Sequence, residues 1–200
     1  MRGQDQRVDL RGVVRADRPL LVVALPEEAD ALDDELPILV TGPGKVHAAV
    51  AVTAALASDR PSVVINIGTA GGLRAGLRGV HEIHTAVQHD FDAAAIRALV
   101  NRDYGVPITL DSLADNGMVL ATGDCFVADS RARDALARHA DLVDMEGYAV
   151  AWAARVAGVR VRLIKLVSDD ADEGAVRTWA ETVGEHARTL SRWVREHLTD

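Results

Sequence analysis

Apolar residues occur along this chain in short runs that alternate with alanine-rich stretches of helical character. Within the runs the apolar residues are nearly continuous, which is typical of parallel strands whose two faces are both covered. The runs that predict strands are Leu20–Leu25, Ile38–Thr41, Ser62–Ile67, Val80–Val87, Met118–Ala121, Leu142–Met145 and Val161–Val167.

The stretches between these runs predict helices. Pro26 follows the first run, and with Glu27 and Glu28 it is typical of a first helical turn, because proline fits there and acidic side chains favour the positive end of the helix dipole. The longer predicted helices are Val46–Ala57, Ala93–Val100, Asp129–His139, Glu146–Ala157 and an amphipathic Gly174–Leu198. Strands and helices that alternate in this way predict an α/β sandwich with a mostly parallel sheet.

The length of 200 residues fits one domain, and no repeat or composition break divides the chain. Residues 1–17 are charged and predict a disordered extension, whereas residues 18–200 predict a single domain. The N-terminal stretch lacks the apolar core of a signal peptide, and no apolar run approaches the roughly 20 residues that span a bilayer. We therefore expect a cytoplasmic protein with no membrane partner.

Composition excludes several classes of protein. Hydrophobic residues make up 48% of the chain and charged residues 26%, as in an ordinary globular protein rather than a disordered one. The 22 Lys and Arg against 30 Asp and Glu give a net charge of −8, which argues against a nucleic-acid partner. Cys125 is the single cysteine, so an intramolecular disulfide and a cysteine-rich zinc site are excluded.

Acidic residues recur where the predicted strands end. In open α/β sheets, ligands bind beyond the carboxyl ends of the strands, so such residues are candidates for a site. They are Glu27, Glu28, Asp124, Glu146 and Asp169. Carboxylates that share one cleft have separated pKa values, which provides one protonated acid and one ionised base. The alternative is that each carboxylate caps the N-terminus of a helix.

Two glycine-rich motifs follow predicted strands. Gly42-Pro43-Gly44-Lys45 lacks the spacing and the hydroxyl of a phosphate-binding loop, so that function is rejected. Gly68-Thr69-Ala70-Gly71-Gly72 is expected to close its strand and to let the backbone approach a ligand, the alternative being a tight turn with no ligand.

Other residues with potential chemistry have simpler interpretations. His81 and His84 lie on opposite faces of a predicted strand, so no metal site is predicted there. Cys125 has no neighbouring histidine to activate it, and it is interpreted as a small buried residue rather than a catalytic thiol. Trp193 in the last helix is interpreted as a packing residue.

The ordered set of motifs resembles the nucleoside phosphorylase and nucleosidase superfamily, and is most similar to its 5′-methylthioadenosine/S-adenosylhomocysteine nucleosidases. The motifs that carry the resemblance are Ala24-Leu25-Pro26-Glu27-Glu28, Gly42-Pro43-Gly44-Lys45-Val46, Gly68-Thr69-Ala70-Gly71-Gly72, Thr122-Gly123-Asp124-Cys125-Phe126, Asp144-Met145-Glu146-Gly147 and Ser168-Asp169-Asp170-Ala171-Asp172. The resemblance implies a three-layer α/β/α sandwich with a mixed, mostly parallel central sheet.

The resemblance also implies roles for individual residues. Asp169 matches the general acid that protonates purine N7, and Glu28 matches the carboxylate that holds the attacking water. Glu146 matches the residue that binds the ribose hydroxyls, with Met145 packed on the sugar. Ser168 belongs to the same motif as Asp169 and is expected to contact the substrate.

The same comparison places the remaining site residues. Phe126 matches the ring that stacks on the base, and the backbone of Val127 matches the group that pairs with its edge. Thr69 and Gly71 belong to the motif near the sugar and the water. Lys165 stands where these nucleosidases tend to have an arginine, and Trp179 is expected to take the place of an aromatic residue over the 5′ substituent.

The implied function is a purine nucleosidase that hydrolyses the N-glycosidic bond of a 5′-modified adenine nucleoside, with neither metal nor organic cofactor. Glu27 and Glu28 would repel phosphate, which favours water as the nucleophile. The alternatives are a phosphate-dependent phosphorylase and a catalytically inactive nucleoside-binding module. Members are commonly dimers, so a homodimer is expected, to which the amphipathic C-terminal helix could contribute.

Overall fold

The structure is a computed structural model, and it describes residues 9–114 and 117–198. Ten strands of the described chain form one mixed sheet. The strands are β1 (Asp9–Arg11), β2 (Leu20–Val23), β3 (Ile38–Val40), β4 (Val64–Gly72), β5 (Val80–Glu82), β6 (Thr85–Gln88), β7 (Ile108–Thr109), β8 (Val119–Thr122), β9 (Leu142–Asp144) and β10 (Val161–Asp169). The helices are α1 (Pro26–Ala29), α2 (Lys45–Ala55), α3 (Ala93–Val100), α4 (Ser130–Leu136), α5 (Gly147–Val156) and α6 (Ala175–Leu198).

Strand β4 lies at the centre of the sheet. It pairs in parallel with β2 on one edge and with β10 along the other, and its last two residues pair antiparallel with β9. Beyond β9 the sheet continues through β8 and β6 to β7, and on the other side β2 continues to β3 and β1. This arrangement brings the ends of β2, β4, β9 and β10 to one region.

The sheet is covered on both faces. Leu20 and Val22 of β2 lie in the same apolar cluster as the buried residues of α2 and α5, whereas Leu21 and Val23 lie in a second cluster with Leu190 of α6. Alternate residues of a strand point to opposite faces, so helices pack on each side. The continuous apolar runs of the sequence are explained by this double burial, and the expected α/β/α sandwich is confirmed.

The observed strands differ from the predicted ones at three places. Residues 68–72 do not close their strand as a turn but continue β4, since they pair with β10 and β9. Strand β10 likewise extends beyond Val167 to Asp169. The expected strand Val80–Val87 is two strands, because β5 pairs with β10 whereas β6 pairs with β8.

Part of the expected N-terminal extension is ordered. β1 pairs antiparallel with β3, and Arg11 Nη1 lies 2.6 Å from Asp30 Oδ1. Val14 is buried. Residues 9–14 therefore contact the sheet rather than forming a disordered extension, and residues 1–8 lie outside the described part of the chain. No helix among the described residues is long and apolar enough to cross a bilayer.

Candidate active site

A cavity of about 370 Å³ lies at the ends of β2, β4, β9 and β10. The ten residues for which the resemblance implies a place in the catalytic or substrate-binding site all line this cavity. They are Glu28, Thr69, Gly71, Phe126, Val127, Met145, Glu146, Lys165, Ser168 and Asp169. Residues separated by up to 141 positions in the chain thus share one space, as expected for strand ends of an α/β sheet.

Glu28 is fixed by main-chain donors. Its Oε2 atom accepts hydrogen bonds from the backbone N–H groups of Ala24 and Leu25, both at 3.0 Å. The backbone N–H of Thr69 also hydrogen-bonds to the carboxylate. Glu28 therefore does bind the first turn of α1, as the capping interpretation expects, but it is buried at the cavity wall at the same time.

Asp169 is the last residue of β10, where the pairing with β4 shifts by one residue. Val167 pairs with Ala70 and Asp169 pairs with Gly71, so Ser168 is an extra residue that forms a bulge. A bulge turns the following side chain away from the regular alternation, here towards the cavity. The bulge in β10 therefore sets the direction of the Asp169 side chain.

The Asp169 carboxylate is held by two donors. Ser168 Oγ lies 2.7 Å from Oδ2, and the backbone N–H of Ala171 donates to Oδ1 at 2.9 Å. Ala171 has φ of 49°, in the left-handed region that residues other than glycine rarely adopt, and it is fully buried. These two hydrogen bonds give Asp169 a defined orientation at the cavity. Neither donor belongs to a helix, so Asp169 is not held as the cap of a helix N-terminus.

Glu146 directly precedes α5 but does not cap it. Its side chain makes no hydrogen bond to the helix, and Oε1 instead accepts the backbone N–H of Gly44 at 2.8 Å. Gly44 has φ of 92°, which glycine adopts without strain. The motif Gly42-Pro43-Gly44-Lys45 thus holds a cavity carboxylate rather than a phosphate.

Lys165 is fully buried below the cavity and forms an ion pair with Asp144. Its Nζ lies 2.8 Å from Asp144 Oδ2. Asp144 also accepts hydrogen bonds from the backbone N–H of Gly147 at 2.8 Å and from Thr122 Oγ1 at 2.6 Å. The pair is therefore fully hydrogen-bonded at the carboxylate, as a buried charge requires.

Burial and charge alter the acidity of two carboxyl groups. Burial raises the pKa of Glu28 above its ordinary value, although the Leu25 N–H and the charge of Lys165 act in the opposite direction. Burial and the nearby charge of Asp144 raise the pKa of Glu146 to about 7, with Lys165 again opposing. The cavity thus contains carboxyl groups that exchange protons nearer to neutral pH than free glutamate does.

The mouth of the cavity is apolar and partly exposed. Phe126 is 46% exposed and Val176 of α6 is 61% exposed, and both line the cavity. Trp179 of α6 also lines it, and its Nε1 donates a hydrogen bond to Thr69 Oγ1 at 3.1 Å. A flat, apolar ligand can therefore enter through this mouth and reach the polar groups at the floor of the cavity, which β4 forms.

The family model described as Phosphorylase superfamily matches residues 31–198. The chain belongs to this superfamily. Two relatives are 5′-methylthioadenosine/S-adenosylhomocysteine nucleosidases. That of an Exiguobacterium species is 31% identical over an alignment of 160 residues, with 69% of each chain covered. That of Bacillus velezensis is 35% identical over an alignment of 157 residues, with 68% of each chain covered.

A solved member of the superfamily has a similar fold. The S-adenosylhomocysteine nucleosidase of Streptococcus pyogenes, in complex with 5-methylthiotubericidin, superposes with a TM-score of 0.75 and 26% identity. The superposition covers 90% of this chain and 95% of that chain. The family and the fold class predicted from the sequence are confirmed by these matches.

Some residues of this superfamily member's cavity were missed by the sequence analysis. Asp144 was quoted only as part of a motif, although its position at the end of a buried strand is the same signal that identified Asp169. Asn66 lines the cavity from within β4, where nothing in the sequence marks it. Cys125 is exposed and lines the cavity, so the interpretation as a small buried residue is wrong.

Two of the acidic candidates and the histidines lie elsewhere. Glu27 and Asp124 are exposed and are not among the cavity residues; Asp124 Oδ1 accepts the backbone N–H of Lys45 at 2.7 Å. His81 contacts the carbonyl of Arg78, and His84 contacts Thr85. Among residues 9–114 and 117–198, no group of three His, Cys, Asp or Glu side chains is placed to hold a metal ion.

Proposed function

We propose that this protein hydrolyses the N-glycosidic bond of an adenine nucleoside that carries an apolar 5′ thioether. The observation that carries the proposal is that Glu28, Glu146 and Asp169 line one cavity of nucleoside size. Cleavage of this bond places positive charge on the ribose and negative charge on the leaving base. A carboxylate near the ribose can stabilise the positive charge, and a carboxylic acid near the base can neutralise the negative charge.

Asp169 acts as the general acid towards the base. The leaving purine gains electron density at N7 as the bond breaks, and a proton from Asp169 neutralises it. The Ser168 hydroxyl and the Ala171 N–H hydrogen-bond to this carboxyl group and so hold it in a fixed orientation towards the base. Proton transfer of this kind contributes roughly 10²–10⁴ in rate.

Glu28 holds the water that attacks C1′. Two backbone donors bind its Oε2, and Oε1 has the capacity to accept a hydrogen bond from water. The raised pKa of Glu28 makes it a stronger base towards that water than free glutamate is. The carboxylate also lies near the positive charge of the ribose in the transition state.

Glu146 binds the ribose diol. Because Gly44 fixes Oε1, the carboxylate presents Oε2 to the sugar in a defined direction. Met145 and Phe126 supply apolar contacts to the sugar and the base, and stacking of a base on an aromatic ring is worth roughly 1–3 kcal/mol.

Water rather than phosphate is the nucleophile in this proposal. A phosphorylase must hold a phosphate dianion, for which proteins favour arginine. Within the described chain, Lys165 is the one cation among the cavity residues, and its ammonium group is paired with Asp144. Glu28, Asp144 and Glu146 around it make this part of the cavity unfavourable for an anion.

The enzyme class agrees with the relatives. Both named sequence relatives are 5′-methylthioadenosine/S-adenosylhomocysteine nucleosidases, which are N-glycosyl hydrolases, and this class is the one predicted from the sequence. The 5′ thioether in the proposed substrate rests on their names and on the apolar mouth formed by Phe126, Val176 and Trp179.

The test is release of adenine from 5′-methylthioadenosine in phosphate-free buffer. We expect turnover without phosphate, and a loss of at least about 100-fold in kcat for Asp169→Asn, which has no proton to transfer. Asp170→Asn is the matched control, because this neighbouring carboxylate is 41% exposed and pairs with Arg78 outside the cavity. Strict dependence on phosphate would establish a phosphorylase instead, and tight binding without cleavage would establish a binding module.

We also propose that the protein is a homodimer formed through α2 and α5. These helices pack against each other and leave large apolar side chains exposed. The exposed residues are Val46, Val50, Trp152 and Val156. By contrast, Leu190 and Val194 of α6 are buried within the chain, so the apolar face of this helix is used internally rather than between subunits.

A further inference from the structure

The hydroxyl group of Thr69 accepts a hydrogen bond from a residue 110 positions away in the sequence. Trp179 Nε1 lies 3.1 Å from Thr69 Oγ1. Thr69 is in the central strand β4, Trp179 is in α6, and both line the cavity. The C-terminal helix therefore contacts the floor of the site through a directional polar bond as well as through apolar packing.

This bond fixes the direction of the Thr69 hydroxyl. An indole N–H can only donate, so Thr69 Oγ1 is the acceptor and its own hydrogen remains available for another partner. Among residues 9–114 and 117–198, none accepts a hydrogen bond from Thr69 Oγ1. The hydrogen is therefore available to a ligand or a water molecule in the cavity.

Thr69 also lies next to the carboxylate that holds the attacking water. Its backbone N–H acts on the Glu28 carboxylate and lowers the pKa of that group against the effect of burial, and both residues line the cavity. Because they share this cavity, we expect a water bound to Glu28 to be within reach of the Thr69 hydroxyl. One residue thus connects α6 to the proposed nucleophile.

We infer that Trp179 is a positioning residue that holds the Thr69 hydroxyl as a hydrogen-bond donor to the water at Glu28. The inference rests on the proposed function. The water donates one hydrogen to Glu28 and accepts one hydrogen bond from Thr69, which leaves its second lone pair to attack C1′. Without the indole N–H, the Thr69 hydroxyl can rotate and the water loses its fixed orientation.

The experiment compares Trp179→Phe with the matched variant Trp193→Phe. Phenylalanine keeps an apolar ring and removes the N–H. Trp193 is on the same helix but stacks on His197, with ring centroids 4.5 Å apart, and does not line the cavity. We expect Trp179→Phe to lower kcat about five- to tenfold, as loss of one hydrogen bond does, with KM changed less than about threefold. Trp193→Phe should leave both constants unchanged.

A double-mutant cycle with Thr69→Val separates positioning from a structural role. If Trp179 acts through the Thr69 hydroxyl, Trp179→Phe should change kcat less than about twofold when Thr69 is already valine. Thr69→Ser, which keeps the hydroxyl, should restore the effect of Trp179→Phe. These comparisons use ratios within each background, so a general loss of stability does not produce the expected pattern.

Several outcomes would overturn the inference. They are an unchanged kcat in Trp179→Phe, an equal loss in the threonine and valine backgrounds, and a change confined to KM. If Trp179→Phe does not fold, retention of the wild-type kcat by Thr69→Val overturns it too. Absence of adenine release from the unsubstituted chain would instead reject the proposed function itself.

Discussion

At the scale of single residues, the site depends on how each carboxylate is held. Three carboxyl groups of similar chemistry have three different environments. Two backbone amides occupy one oxygen of Glu28, one amide binds Glu146, and a hydroxyl and an amide bind Asp169. These donors determine which oxygen faces the ligand, so the chemistry of each residue is set by the main chain around it.

Glu146 should make stability depend on pH in a specific direction. Burial raises the pKa of Glu146 from 4.5 to about 7, so in this interval the folded chain holds a proton that the unfolded chain has released. The resulting stabilisation is fully present below pH 4.5 and is lost as the pH rises to about 7. We expect the free energy of unfolding of Glu146→Gln, which cannot ionise, to rise by about 3 kcal/mol relative to that of the unsubstituted chain across this interval.

Urea denaturation of both proteins at several pH values between about 4.5 and 8 measures this difference. The difference in free energy of unfolding between variant and unsubstituted chain should change with pH, whatever its absolute value. Parallel stability profiles would show that Glu146 is ionised throughout the range and would contradict the prediction.

The sequence predicted which carboxylates line the cavity, but it did not predict the contacts around them. Glu28, Glu146 and Asp169 could be predicted because they follow strands, and strand ends meet at one edge of an α/β sheet. The ion pair between Lys165 and Asp144, and the hydrogen bond between Trp179 and Thr69, could not be predicted. Such contacts depend on side-chain positions that long-range packing sets, and local sequence patterns do not contain them.

At the scale of elements, the glycines of the site allow strands and helices to approach each other closely. A Cβ atom on Gly147 would lie 2.5 Å from Leu120 Cδ2 and 2.9 Å from Asp144 Oδ2. A Cβ atom on Gly71 would lie 3.2 Å from Asp169 Oδ1. The start of α5 therefore has no room for a side chain, and the end of β4 could take one only if neighbouring atoms moved.

Gly147→Ala should destabilise the protein by about 1–3 kcal/mol, because the added methyl overlaps Leu120 at the buried start of α5. Gly184→Ala is the matched control in α6, where the nearest atom to the added carbon is Arg188 Nη1 at 4.0 Å. We expect Gly184→Ala to stabilise the protein by about 0.5–1 kcal/mol, because alanine has a higher helix propensity than glycine. Chemical denaturation measures both, and equal effects would refute the packing argument.

Element boundaries were predicted where one local signal dominates. α3 begins and ends where its pattern predicts, with Asp92 capping the first turn through the Ala95 N–H. β4 was predicted too short, because glycine usually ends a strand whereas here residues 68–72 pair with β10 and β9. The break between β5 and β6 depends on a change of pairing partner, which the sequence does not show.

At the scale of the whole molecule, the exposed apolar side chains of α2 and α5 predict self-association. Sedimentation should give a dimer, and Val156→Glu should shift it towards monomer, because Val156 is 73% exposed on α5 and a buried charge without a partner opposes association. Leu113→Glu is the matched control, at a residue 79% exposed and outside these helices. A monomeric unsubstituted chain at micromolar concentration would contradict the homodimer.

The position of β4 divides the site into two parts with different tolerance to change. Gly71 belongs to a strand that is bonded along both edges, and a Cβ atom there would lie 3.1 Å from Val143 Cγ1, so replacing Gly71 disturbs the packing of the sheet. Phe126 and Val176 sit at the exposed rim and contribute little burial to the folded state. A chemist who wishes to redirect this scaffold to bulkier or smaller nucleosides should therefore vary the rim and leave the floor intact.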